Sequence, residues 1–250
     1  MIKESIVYIR NKIIGLIYKN ILKPVFFLID PEIMHDSMTL IGRLLGSNPV
    51  TKKITAWLFY YSHPSLEQVI YGIKFKNPIG LAAGFDKNAQ LTNILPAVGF
   101  GFTEVGTITG EACYGNPKPR LWRLVKSNSL LVYYGLKNEG CEKISTRLRN
   151  QKFATPLITS IGKTNSKDTI SEETGIRDYI KAYKAFTNIG AIFDINISCP
   201  NVFGGTPFSG PKKLHKLLLQ IDEVQTKKPI FIKMPPDLTD QELDEILEIV

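Results

Sequence analysis

The chain has 250 residues, 44% hydrophobic and 22% charged, a composition that excludes disordered and fibrous classes and suits one large domain or two small ones. Its net charge of +8 favours anionic partners such as a membrane surface or a phosphorylated ligand, but no arginine-rich run or aromatic–basic repeat points to nucleic acid. Cys113, Cys141 and Cys199 are far apart and form no C-x-x-C pair, which argues against a zinc site or a disulfide framework and for a reducing compartment.

Ile6, Ile9, Ile13, Leu16 and Ile17 recur at helical spacing near the N-terminus. Arg10 and Lys12 break this apolar run short of the ~18–20 residues that span a bilayer. No small-residue cleavage site follows it. Lys3, Arg10, Lys12, Lys19 and Lys23 face only Glu4 and Asp30, so the segment suits lying on an anionic membrane or packing on its own domain. Asp30-Pro31-Glu32 then reads as a capped helix start. Ile33, Met34, Met38, Leu40, Ile41 and Leu44 supply its apolar positions, and Gly46 is a plausible stop. Two such helices leave apolar faces that could shape a groove for a lipid-like molecule. Residues 52–64 read as a connector into a second unit.

From Leu66 the pattern changes to alternating strands and helices. Apolar strand-like runs fall at 79–83, 102–105, 156–161, 191–197 and 229–233, with helical patterns at 176–187 and 212–224. Recurring strand–helix units imply a parallel sheet with right-handed crossovers. No G-x-G-x-x-G follows the first strand, so a (β/α)8 TIM barrel is favoured over an open sheet. About five strands are present where a closed barrel has eight, so the barrel is incomplete. A capping box, Thr239-x-x-Glu242, opens a helix still in full stride at Val250. The expectation is a truncated chain or a barrel completed elsewhere. The division expected is an N-terminal helical extension over 1–65 and the first part of a barrel over 66–250.

The strand ends carry the chemistry. Gly80-Leu81-Ala82-Ala83-Gly84-Phe85-Asp86-Lys87-Asn88 follows the first barrel strand. Its small residues let a flat group approach the backbone, and Lys87 can hold an anion. Glu104-Val105-Gly106-Thr107 ends the second strand, and Gly115-Asn116-Pro117-Lys118-Pro119-Arg120 forms a stiff loop. In 191–197, Ile192, Asp194 and Asn196 alternate with Phe193, Ile195 and Ile197. Two polar residues on one buried face need partners, and the strand runs into Cys199 and Asn201. Cys199 has the chemistry of a general base, although most buried cysteines are inert. Lys233 emerges from the last strand, where an ammonium needs either an anion or solvent.

As a set these segments resemble dihydroorotate dehydrogenases, with Asn196-Ile197-Ser198-Cys199-Pro200-Asn201 and Lys233 completing the pattern from about Phe27 to the end. The resemblance implies FMN-dependent oxidation of dihydroorotate to orotate in de novo pyrimidine synthesis. Ala83, Gly84, Lys87, Thr107, Asn196 and Lys233 would hold FMN. Lys87, Asn196 and Asn201 would bind substrate. Cys199 would take the C5 proton while hydride leaves C6. Asp30-Pro31-Glu32 with His35 is similar to the quinone-linked class, implying quinone as acceptor and peripheral attachment to the cytoplasmic face of a membrane. No metal is expected.

Three departures qualify this. Cys199, with Asp194 and Met234-Pro235-Pro236 around it, is similar to the soluble class, whereas the quinone-linked class usually carries Ser there. Val132 stands where the family usually has a substrate-binding Asn, and Ser160 where an FMN-contacting Asn is common. The later strands that bear the flavin phosphate site are absent, so FMN held by this stretch alone is expected to be weak. A related flavin oxidoreductase with another cyclic substrate or a soluble acceptor, or a catalytically incompetent fragment, stays open.

Overall fold

The computed structural model describes residues 2–206 and 208–250; the side chains of Ile2 and Lys3 lie outside the described residues. The first helix, α1 (Ile2–Ile17), passes through a π-helical turn at Tyr18–Leu22 into α2 (Lys23–Phe27). Pro24 has no N–H and its ring crowds the carbonyl four residues back, so the regular ladder cannot run through this point. The widened turn is the local solution, with the Lys23 N–H donating to Tyr18 O.

Helix α3 (Pro31–Ser47) begins as the sequence implies. Asp30 caps it, accepting from Glu32 N at 2.9 Å and Ile33 N at 3.0 Å. The stretch read as a connector is different: α4 (Pro49–Phe59) occupies most of it. Asn48 accepts from Val50 N, and Pro49 sits at the helix start, so Asn48-Pro49 repeats the signal of Asp30-Pro31 one helix later. Arg10 donates to Trp57 O and Tyr60 O, tying α1 to the end of α4. None of the helices among the described residues is long and apolar enough to cross a membrane.

A short antiparallel pair, β1 (Gln68–Ile70) and β2 (Ile73–Phe75), leads into β3 (Gly80–Leu81), α5 (Leu95–Val98) and β4 (Phe102–Ile108). A second antiparallel pair follows, β5 (Leu121–Leu124) with β6 (Ser129–Val132), then α6 (Cys141–Leu148) and β7 (Leu157–Ile161). The remainder is α7 (Glu172–Ala185), β8 (Ile192–Asn196), α8 (Pro211–Asp222), β9 (Ile230–Lys233) and α9 (Asp240–Leu247), the last opened by the Thr239–Glu242 capping box.

Strands β3-β4-β7-β8-β9 form one parallel sheet in chain order, the arrangement of successive barrel strands. Alternation along β8 sorts its side chains. Phe193 and Ile195 join Val105, Ile161, Tyr183, Phe186, Leu214 and Leu217 in the core between sheet and helices. Ile192 faces the other way and packs with Ile158 and Phe75, where the β1–β2 pair covers the barrel floor. Asp194 and Asn196 continue that inner face toward the opposite end. The structure is thus a partial TIM barrel preceded by N-terminal helices.

Candidate active site

At the C-terminal ends of the strands, Ala83, Gly84, Lys87, Gly106, Thr107, Leu136, Lys137, Asn196 and Lys233 line a cavity of about 150 Å³. The six residues expected to hold a cofactor therefore come from four separate strand ends to one place. Gly84 adopts φ +99°, and a Cβ there would point into open space. That backbone is open to a flat ligand, and strain rather than crowding excludes a larger residue. Pairing of β4 with β7 shifts register between Val105 and Ile108, where Gly106 and Thr107 turn into the cavity.

The polar inner face of β8 is satisfied by a chain of hydrogen bonds. Asn196 Nδ2 donates to Thr107 Oγ1 at 2.7 Å, Thr107 Oγ1 lies 3.0 Å from Ser160 Oγ, and Ser160 Oγ donates to Asp194 Oδ2 at 2.8 Å. Burial, with Glu104 alongside, pushes the Asp194 carboxyl well above the usual carboxylate range, against the Ser160 hydrogen bond. Glu104 also accepts from Ala83 N at 3.1 Å, so the barrel interior fixes the small-residue turn. Ser160 is fully buried and spends its hydroxyl in this chain rather than on the cavity wall.

Cys199 and Asn201 lie on the loop after β8, outside that lining. Cys199 borders a void of about 10 Å³ with Leu136, Lys163, Tyr179 and Asn196, so Asn196 and Leu136 belong to both walls. Burial raises the Cys199 thiol, opposed by a backbone hydrogen bond at Asn201 and by the charge of Lys233. Asn201 Nδ2 donates to Val132 O at 3.2 Å. Asn116 Nδ2 donates to Asn201 O at 3.0 Å, and Lys163 Nζ to Phe203 O at 2.9 Å. Asn116 belongs to the stiff loop expected from the sequence, whereas Lys163 was missed because it carries no local pattern that announces a long-range contact.

Helix α3 supplies a further part. Its buried Glu32 takes Arg120 Nε at 3.1 Å and Arg120 Nη2 at 2.8 Å, with Lys137 at 3.3 Å and Lys118 at 3.5 Å. Burial alone would raise this carboxyl, but Arg120 and Lys137 hold it down at about 2. His35 Nε2 lies 2.8 Å from Phe85 O and 3.3 Å from Lys87 Nζ. Lys87 rests over the Tyr134 ring, 4.1 Å from its centre. Burial pushes the Lys87 ammonium down to about 8; Asp36 pulls it up and Lys137 pushes it further down.

Fold and site together define a parallel (β/α)-barrel protein with a polar, lysine-rich cavity at the catalytic end of its strands. A sequence profile described as dihydroorotate dehydrogenase matches residues 65–250. The chain belongs to the dihydroorotate dehydrogenase family, a family of flavin-dependent oxidoreductases. A relative described as dihydroorotate dehydrogenase (quinone) from Christiangramia forsetii is 38% identical over 237 residues, covering 93% of this chain and 68% of its own. One from Bartonella tribocorum is 39% identical over 230 residues, covering 89% and 60%. A solved structure of DHODH in complex with ferulenol from Eimeria tenella matches with a TM-score of 0.74 at 27% identity, covering 90% of this chain and 66% of that one. The chain thus spans about 60 to 68% of the length of these proteins.

Proposed function

We propose that the protein oxidises dihydroorotate to orotate with FMN as cofactor and quinone as the final acceptor. The observation that carries this is the convergence of Ala83, Gly84, Lys87, Thr107, Asn196 and Lys233 on one cavity. Small residues give a flat floor, while Lys87, Lys233, Thr107 and Asn196 supply polar groups at its edge, a donor set that fits a planar ring with a polar rim. FMN, when bound, supplies the hydride acceptor and the route for electrons to quinone. The chain's own work is to orient substrate and move the C5 proton. Lys87, Asn196 and Asn201 bind the pyrimidine, and Cys199 Sγ takes the proton as the C5–C6 double bond forms. The purified protein should be yellow and lose its flavin absorbance on anaerobic addition of dihydroorotate; flavin that stays oxidised would overturn the substrate assignment.

Residues 1–65 serve in this reading as a membrane- and quinone-associated extension, and 66–250 as the flavin-binding barrel portion. A groove of about 580 Å³ runs between α2 and the β5–β6 pair, lined by Tyr18, Lys23, Phe27, Arg123 and Leu130. It combines apolar walls with cations that can donate to quinone carbonyls. A second groove of about 580 Å³, under α3 and α4, is almost wholly apolar. Its Thr51 and Thr55 hydroxyls are already spent on backbone carbonyls, and its Phe85 end adjoins His35 and Lys87. The exposed apolar residues of α1, beside Lys12 and Lys19, support peripheral attachment to the cytoplasmic face of an anionic membrane. Removing residues 1–29, which leaves Glu32 and His35 of α3 in place, should abolish quinone-dependent turnover and vesicle binding while sparing flavin reduction; undiminished quinone turnover would refute the role of this segment.

Val132, an aliphatic residue where the resemblance implies a substrate-binding Asn, favours a second reading, a related flavin oxidoreductase acting on another cyclic substrate. A panel of such compounds scored by flavin reduction separates the two.

A further inference from the structure

We propose that Lys137 binds the carboxylate of the substrate, taking over anchoring that Val132 cannot give. The inference rests on the function proposed above. Val132 offers only an aliphatic side chain, and its carbonyl is occupied by Asn201. Five residues further on, Lys137 lines the same cavity as Lys87, Asn196 and Lys233. Three of the nine lining residues are thus lysines, and none is an acid. A cavity walled this way selects an anion.

The charge of Lys137 is only partly met from within the protein. Glu32 is 3.3 Å away, but that carboxylate is already shared with Arg120 and Lys118. Asp36 stands 3.7 Å off, is half exposed, and also faces His35 Nδ1 at 3.1 Å. Lys87 is buried among cations on one side, with Lys137 and Arg120 both near enough to disfavour its charge. An incoming carboxylate between Lys87 and Lys137 compensates both ammonium groups at once. Charge-assisted hydrogen bonds of this kind are stronger than neutral ones. The Lys137 side chain is partly open, so it can swing between the acids of α3 and a ligand.

The test is equilibrium binding of orotate and of its neutral methyl ester to the flavin-loaded, full-length protein, comparing wild type with Lys137→Met and Lys137→Gln. Orotate affinity should fall about tenfold or more in both variants, the ester should bind as before, and bound flavin should be unchanged. Lys137→Arg should restore most of the orotate affinity. Wild-type affinity for orotate in a flavin-replete Lys137→Gln protein would overturn the inference while leaving the function reading intact. Equal losses for acid and ester, or loss of flavin with the substitution, would overturn it too by assigning Lys137 to the fold or the cofactor. Failure of the wild type to bind orotate at all would instead overturn the function reading, and this inference with it.

Discussion

Helices α1 and α7 are of similar length, yet they use their apolar residues in opposite ways. In α7, Tyr179, Ala182 and Tyr183 are buried against the sheet and its neighbours. In α1, Ile9 is 56% exposed and Ile13 51%. An amphipathic pattern therefore specifies a helix and a face, but not what covers that face. In the barrel the cover is the sheet. At the N-terminus nothing among the described residues buries Ile9 and Ile13; Arg10 ties α1 to the end of α4, while α3 and α4 meet the barrel through Glu32–Arg120, His35–Phe85 and an apolar face against Leu91 and Ile94.

The largest expected effect falls on the barrel side of this contrast. Replacing Cys199 with Ala should slow flavin reduction by dihydroorotate by about 10²–10⁴-fold, measured anaerobically by stopped flow. In the native protein the same rate, at saturating substrate, should climb with pH beyond the ordinary thiol value of about 8.5, because burial raises the group that must lose its proton. A rate flat with pH would remove Cys199 as the base.

Packing provides the next test. Phe186→Ala should cost about 3–5 kcal/mol in denaturant unfolding, since the ring is fully buried in the sheet–helix core. Ile13→Ala should change stability by no more than about 0.5 kcal/mol, because its side chain is already half in solvent. Similar losses at both sites would show that the face of α1 is covered after all.

The joint between the two regions should respond to acid. Glu32→Ala leaves Arg120 buried without its anion, at a cost of about 3 kcal/mol. The Glu32 carboxyl is held below its unfolded value. Its stabilising contribution is therefore complete above about pH 4.5 and is lost as pH falls toward 2. Thermal unfolding of wild type and Glu32→Ala should converge over that range. Smallest is the effect at Lys87, which loses its proton near pH 8. Orotate affinity should decline by up to about tenfold per pH unit above that point, and Lys87→Met should flatten the decline.

Much of this was legible in the residues. Each of the five strands of the parallel sheet overlaps one of the apolar runs, although β4 continues three residues past its run, because strands of a covered parallel sheet are rich in apolar residues. The cap of α3 was explicit in Asp30-Pro31. Helix α4 was missed although Asn48-Pro49 announces it in the same form. Lys137 was missed for a different reason. A lysine in a polar turn looks solvated until the chain folds, and its cavity position follows from four strand ends meeting the first turns of α3.

The sequence alone determined the strand–helix alternation, the strand-end motifs and the basic, amphipathic N-terminus, since periodicity and local turn chemistry are properties of neighbours in the chain. Tertiary structure decided which strand ends share a wall, why Ser160 serves Asp194 rather than the cavity, and that Glu32 spends its charge on Arg120. Those outcomes depend on burial and on distances between residues far apart in sequence, and the strength of a charge or a hydrogen bond is set by those two quantities.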